Sequence, residues 1–257
     1  MADYRRIGMH LIEPLADDAV IAFAGRLAAS AKAESVHCVF VQVRPEGQRG
    51  EQADPAAYVR GKLPPDIAAR TTVTIRQDNG LAEMLRIARD ESLDLICVGR
   101  PLPSTQLAIG TVFTKLARKA PCNVLVVPEQ AHPHVSRVLV PIDFSAHAHL
   151  ALEAAVRCAR RGTSQPQLII QSVFTVEYGY SKAGLTQEEA TTRMEALTRQ
   201  RTADVIADID LSGLKVETVA TCSDAPAHAV CELAAVRKMD LICIGSRGAL
   251  PSAAVLL

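Results

Sequence analysis

The sequence predicts an α/β protein of two tandem doubly wound domains, each a parallel sheet with helices on both faces, the second lacking its last helix and strand. Three observations carry this. The stretch Asp94-Leu-Ile-Cys-Val-Gly99 returns as Asp240-Leu-Ile-Cys-Ile-Gly245, and Leu-Pro-Ser follows both copies. A near-identical repeat of strand plus loop marks a duplication. Short apolar runs alternate with helical patterns, the signature of strands joined by crossover helices. The whole order then restarts after the polar linker Gln130-Ala-His-Pro-His-Val-Ser136.

In chain order, Arg6 to Ile12 reads as a strand, and Asp18 to Lys32 carries Val20, Ile21, Ala24, Leu27 and Ala28 at helical spacing. Val36 to Val43 is a β-branched strand. The stretch holding Pro45, Pro55, Pro64 and Pro65 is compatible only with broken helix, because proline removes a helical N–H and clashes with the preceding turn. Thr71 to Ile75 is a strand; Asn79-Gly80 turns into a helix whose stripe is Leu81, Met84, Leu85 and Ala88. Strand Leu95 to Val98, a loop, a helix from Val112 to Lys119 and strand Val124 to Val127 close the first repeat, a Rossmann-like order. The second repeat reads as strand Val138 to Asp143, helix Ala148 to Arg160 and strand Leu168 to Val173. A long helix towards Ala207 follows, opened by a Thr186-x-x-Glu189 capping box. Strand Lys215 to Ala220, helix Ala227 to Val236 and strand Leu241 to Ile244 complete it. Domains of residues 1–131 and 135–257 follow. Ile12 aligns with Asp143 at an offset of 131 and Gly99 with Gly245 at 146, so the second repeat has gained 15 residues, the long capped helix.

Composition narrows the function. Among 257 residues, Lys plus Arg and Asp plus Glu are 28 each, so the chain shows no basic footprint for nucleic acid or an anionic membrane. No apolar run approaches the roughly 20 residues that span a bilayer, and Met1-Ala-Asp-Tyr-Arg-Arg is not followed by a signal-peptide core; a cytoplasmic location is expected. The seven cysteines are not at disulfide-framework spacings, which predicts reduced thiols, those of Cys97 and Cys243 in buried strands. Cys222, near a turn, is the better candidate for redox sensing. His132, His134, His147 and His149 flank the linker without a cysteine or carboxylate at ligand spacing, so no metal site is assigned.

Ligands of doubly wound sheets bind outside the carboxyl ends of the strands, at the switch point. Asp143 ends the first strand of the second repeat and Gly245 the fourth. An aspartate there accepts hydrogen bonds from a ribose or base, and glycines let backbone N–H groups surround phosphate oxygens at a helix start. Together they describe a mononucleotide pocket; singly, a helix cap and a turn are the ordinary uses of these residues. No P-loop, nucleophile elbow or His-Glu-x-x-His is present, and no residue is assigned a catalytic role.

Val138-Leu-Val-Pro141-Ile-Asp143-Phe-Ser145, Gly245-Ser-Arg-Gly248 and the five-strand order resemble the universal stress protein family, in its tandem form, over nearly the whole chain. The resemblance implies an adenine-nucleotide alpha-hydrolase-like fold and a stress-response regulator, not an enzyme, binding ATP or AMP/ADP, with Mg2+ as an accompanying ion. It implies that Pro141 and Asp143 flank the adenosine, Val173 touches the base, and Ile244, Gly245, Arg247 and Gly248 approach ribose and phosphates. It also implies homodimer or other partner pairing through the fifth-strand edge, Val124 to Val127. Nucleotide-binding members carry Gly-x2-Gly-x9-Gly-[Ser/Thr] after the fourth strand, and each repeat departs from this. The first has Ile12 in place of the aspartate and Arg100-Pro101 where the second has Ser246-Arg-Gly-Ala249, and reads as a copy without the site. The second keeps Asp143, Gly245 and Gly248, and the sequence stops nine residues later, before the position of the closing Gly-Ser. Three readings stay open: a nucleotide-binding regulator through the second repeat, an interaction scaffold acting through the sheet edge, and an ATP-consuming enzyme.

Overall fold

The computed structural model describes residues 4–12, 14–42, 54–99, 114–131, 134–162, 166–176, 179–245 and 253–256. The chain divides into two compact units, Met1–Pro133 with Ser246–Leu257 and His134–Gly245.

In the first unit, β1 (Arg6–Leu11), α1 (Pro14–Ala31), β2 (Ser35–Val41), α2 (Pro55–Gly61), α3 (Pro65–Ala68), β3 (Thr71–Arg76), α4 (Gly80–Asp90), β4 (Leu95–Gly99), α5 (114–119) and β5 (Asn123–Val127) follow in order. The sheet order is β3-β2-β1-β4-β5, all parallel. That order places the switch point between β1 and its two neighbours. The proline-rich stretch is broken helix as expected: α2 and α3 are short, and each starts on a proline, whose missing N–H is one the first turn leaves unpaired anyway. One face of the sheet buries Val39, Ile96, Val98, Val124 and Val126 against Met84, Leu85, Ile87 and Ala88 of α4 and Leu116 of α5. The buried face of α1, with Val20, Ile21, Ala24 and Ala28, packs on β1 and β4.

The second unit holds β6 (Arg137–Ile142), α6 (Ala146–Gly162), β7 (Gln167–Phe174), a 3-10 turn (Tyr180–Ala183), α7 (Gln187–Ile206), β8 (Lys215–Cys222), α8 (Pro226–Val236) and β9 (Leu241–Gly245). Its sheet order is β9-β6-β7-β8, again all parallel and one strand shorter than the five of the first repeat. Ala151, Leu152, Ala155 and Ala159 are buried on α6, which packs on β6 and β9. Val230 of α8 closes over Leu139 and Ile169, while α7 lies on β7 and β8.

The duplicated aspartate does the same work in both units, at the amino end of the sheet. Asp94 Oδ2 accepts from the N–H groups of Arg5 (2.9 Å) and Arg6 (2.8 Å). Asp240 Oδ2 accepts from those of Ser136 (2.9 Å) and Arg137 (2.8 Å). Each carboxylate thus ties the start of the first strand to the start of the fourth, and the repeat at this position is structural.

One element goes beyond the sequence reading. Ala253–Leu256 form β10, paired in parallel with β5 through Ala254↔Val124, Val255↔Leu125 and Leu256↔Val126. A short apolar run beside an open sheet edge has every backbone reason to pair with it. The Val124–Val127 edge is therefore already taken up by the chain itself. Among the described residues, no helix is long and apolar enough to cross a membrane.

Candidate functional site

The two repeats treat their switch points differently, and the difference begins with one residue. In the first unit β1 and β4 run in register from Ile7↔Leu95 through Met9↔Cys97 to His10↔Val98. In the second, β6 and β9 hold only Val138↔Leu241 and Leu139↔Ile242. The ladder is two pairs shorter, and it stops before Pro141, which has no N–H to offer a neighbouring strand. The β6–β9 ladder thus ends before the carboxyl ends of its strands, where the β1–β4 ladder continues. Pro141, Val173 and Ile244, at the carboxyl ends of β6, β7 and β9, are each only half-buried. Val173 and Ile242 pack on the α8 side of the sheet, and by strand alternation Pro141 and Ile244 share that side.

Asp143 lies just past β6 and is exposed. Its Oδ1 accepts from the Ser145 N–H (3.1 Å) and the Ser145 hydroxyl (2.5 Å), an Asx turn. Ser145 in turn caps α6, its Oγ accepting from the Ala148 N–H at 3.2 Å. Between them Phe144 has φ 63, a left-handed backbone that costs a side-chain-bearing residue on the order of 1 kcal/mol. The Arg201 guanidinium of α7 sits over the Phe144 ring, 4.4 Å from its centroid.

Gly245 is required sterically. A Cβ there would lie 2.7 Å from the backbone carbon and oxygen of His147 and 3.0 Å from the Ala148 nitrogen, so only glycine lets the end of β9 approach the first turn of α6. This brings the start of a 17-residue helix to the carboxyl end of β9. The positive end of the helix dipole and its unpaired N–H groups favour an anion there.

The first unit fills the corresponding place. His10 aligns with Pro141 at the same offset of 131, and its imidazole is buried, 2 % exposed, with neither ring nitrogen hydrogen-bonded among the described residues. Burial lowers its pKa to about 4, so it is neutral. Gly80 of α4 packs against it; a Cβ on Gly80 would lie 3.2 Å from His10 Nε2 and 2.2 Å from Val41 Cγ2. Ile12, where the second unit has its aspartate, gives its N–H to Asp17 Oδ1 at 3.0 Å.

Pro141, Asp143, Val173, Ile244 and Gly245 thus all lie at the carboxyl ends of the neighbouring strands β6, β7 and β9. Arg247 and Gly248 lie outside the described residues, as do Arg100 and Pro101 of the first repeat. Sequence reasoning does not reach the roles of Phe144, Ser145 and Arg201. The Asp-x-Ser spacing is a usable signal for the Asx turn and cap; nothing local points from Arg201 to a ring 57 positions earlier.

His147 and His149 stand on the first turn of α6, His149 Nε2 being 3.8 Å from Glu153. Among the described residues no group of three or more His, Cys, Asp or Glu could hold a metal ion. Cys97 and Cys243 are buried; burial raises the Cys97 thiol, and the Cys158 thiol together with burial raises that of Cys243. Cys222 and Cys231 are exposed.

The model of the Universal stress protein family matches the chain twice, over residues 4–128 and 134–257. Among solved structures, a universal stress protein from Archaeoglobus fulgidus DSM 4304 superposes with a TM-score of 0.59 at 17% identity, covering 97% of each chain. At that identity the likeness speaks for the fold. No curated protein matches.

Proposed function

The chain belongs to the universal stress protein family, in its tandem form, and from that premise we propose that it is a stress-response regulator binding ATP or a related adenine nucleotide in its second repeat only. The observation that carries this is the asymmetry of the switch points: the β6–β9 ladder ends two residue pairs sooner than the β1–β4 ladder. On this reading, half-buried Pro141, Val173 and Ile244 offer an apolar shelf to the base. Asp143 presents its carboxylate to a ribose hydroxyl, and Gly245 holds the start of α6 close to the phosphates. Mg2+ would come with the nucleotide's own phosphates. The first repeat, with His10 buried at the equivalent place, serves as a structural copy.

Turnover has little support. Among the described residues assigned to the site Asp143 is the one titratable group, whereas phosphoryl transfer asks for a positioned base and a cluster of cations. Pairing with a second chain through the β5 edge would require β10 to give way first, so the scaffold reading is the weaker one.

Equilibrium dialysis against ATP tests the proposal. We expect saturable binding at one site per chain, weakened about tenfold or more by Asp143→Ala, since a charged hydrogen bond of about 1.5–3 kcal/mol is lost. Undiminished binding by that variant would sink the assignment.

A further inference from the structure

The 15 residues by which the second repeat exceeds the first have so far no role in the function. Most of them fall between β7 and β8, where α7 stands in place of the short α2 and α3 of the first unit, and two contacts tie the carboxyl half of α7 to the end of β7 and to the Asp143 turn. Thr202 is buried and spends its hydroxyl proton on the Thr198 carbonyl (2.9 Å), so the 2.8 Å contact with Ser172 is donated by Ser172. Ser172 precedes Val173 on β7, which fixes α7 to the strand end where the base is placed. One residue before Thr202, Arg201 reaches across to Phe144.

Phe144 is the hinge of the Asp143 turn. It adopts the left-handed backbone that lets Asp143 Oδ1 face both the N–H and the hydroxyl of Ser145, while Ser145 caps α6. That conformation costs a side-chain-bearing residue free energy, and a cation stacked on its ring helps to hold it. The contacts form a continuous path from β7 through α7 and Phe144 to Asp143 and the start of α6.

We propose that Arg201 is a positioning residue of the second-repeat site, holding Phe144 so that Asp143 is set for its ligand. This rests on the adenine-nucleotide reading above. It also gives a role to the long α7 that stands in place of α2 and α3, because the repeat that carries the aspartate then carries the clamp that orients it.

The test uses the whole chain with ATP as the probe, and a readout that does not depend on ATP. The chain has five phenylalanines, so 4-fluorophenylalanine labelling gives five 19F signals, with Phe144→Leu assigning one of them. Arg201→Ala is expected to shift the Phe144 signal and leave the other four in place. It should weaken ATP binding about tenfold while lowering the unfolding midpoint only slightly, and Arg201→Lys, which keeps the cation, should recover some of the signal shift and of the affinity. Because Arg201 acts through Asp143, the double variant with Asp143→Ala should bind no worse than Asp143→Ala alone. Additive losses would make Arg201 a direct ligand contact and overturn the positioning role. So would an unmoved Phe144 signal, or a loss of affinity that tracks lost stability. If the unmodified chain does not bind ATP, the site reading itself fails, and the role of Arg201 with it. If that chain binds ATP and Arg201→Ala binds equally well, the clamp alone fails.

Discussion

His10 and Pro141 stand at the same place in the two repeats, and their chemistry divides the units. An imidazole buried without a hydrogen-bond partner is tolerated only neutral, because an uncompensated charge in that position is costly. Its folded pKa of about 4 lies below the ordinary 6.5. As pH falls, the unfolded chain takes up a proton near 6.5 and the folded chain does not until about 4, so stability is lost across that window and is full above it. The loss reaches roughly 3 kcal/mol by pH 4. Burial also lowers His37, against the opposing pull of Glu91, so some of the slope has a second source. We therefore expect urea midpoints between pH 7 and 4 to fall more steeply for the natural chain than for His10→Leu. Parallel profiles would show that His10 takes up its proton as readily in the folded chain as in the unfolded one. At this scale Asp143 and Gly245 are readable in the sequence, since strand ends and glycines are local features. The burial of His10 is not, because it depends on Gly80 and Val41, which arrive from α4 and β2.

Among the elements, α7 is the one whose start is written most plainly in the sequence. Thr186 Oγ1 accepts from the Glu189 N–H at 3.2 Å, and Glu189 Oε2 accepts from the Thr186 N–H at 2.8 Å. Both halves of the capping box are made, as Thr-x-x-Glu predicts, since each bond spans only three residues. Thr186→Ala should cost about 1 kcal/mol in urea unfolding. About four turns separate this cap from Arg201, and the anchor at Thr202 is independent of it, so ATP affinity should stay unchanged; a matching loss of affinity would mean that α7 moves as one body on the site. The proline-rich stretch before β3 is legible for the same local reason, whereas the shortened β6–β9 ladder is only hinted at by Pro141. A missing N–H says that a bond is lost, and the neighbouring strand decides what opens. The strand Ala253–Leu256 escapes a local reading because its partner edge, β5, lies about 130 positions earlier.

Across the whole molecule, duplication has left two sheets of one design with unequal roles. The aspartates that tie the amino ends, Asp94 and Asp240, make their paired bonds at matching distances, 2.9 and 2.8 Å in each unit. At the opposite ends the repeats diverge, one with a longer ladder beside a buried histidine and one with a shorter ladder beside an exposed aspartate. A ligand confined to the second crevice stabilises only the state that contains it, by about 2.7 kcal/mol at a hundredfold excess over Kd. Hydrogen exchange with and without ATP should therefore show protection in β6, β9 and the first turn of α6, and none in β1, β4 or α4. Equal protection of β1 and β6 would mean that the zipped switch point can open for nucleotide, and that the buried His10 reports a closed form of a second site.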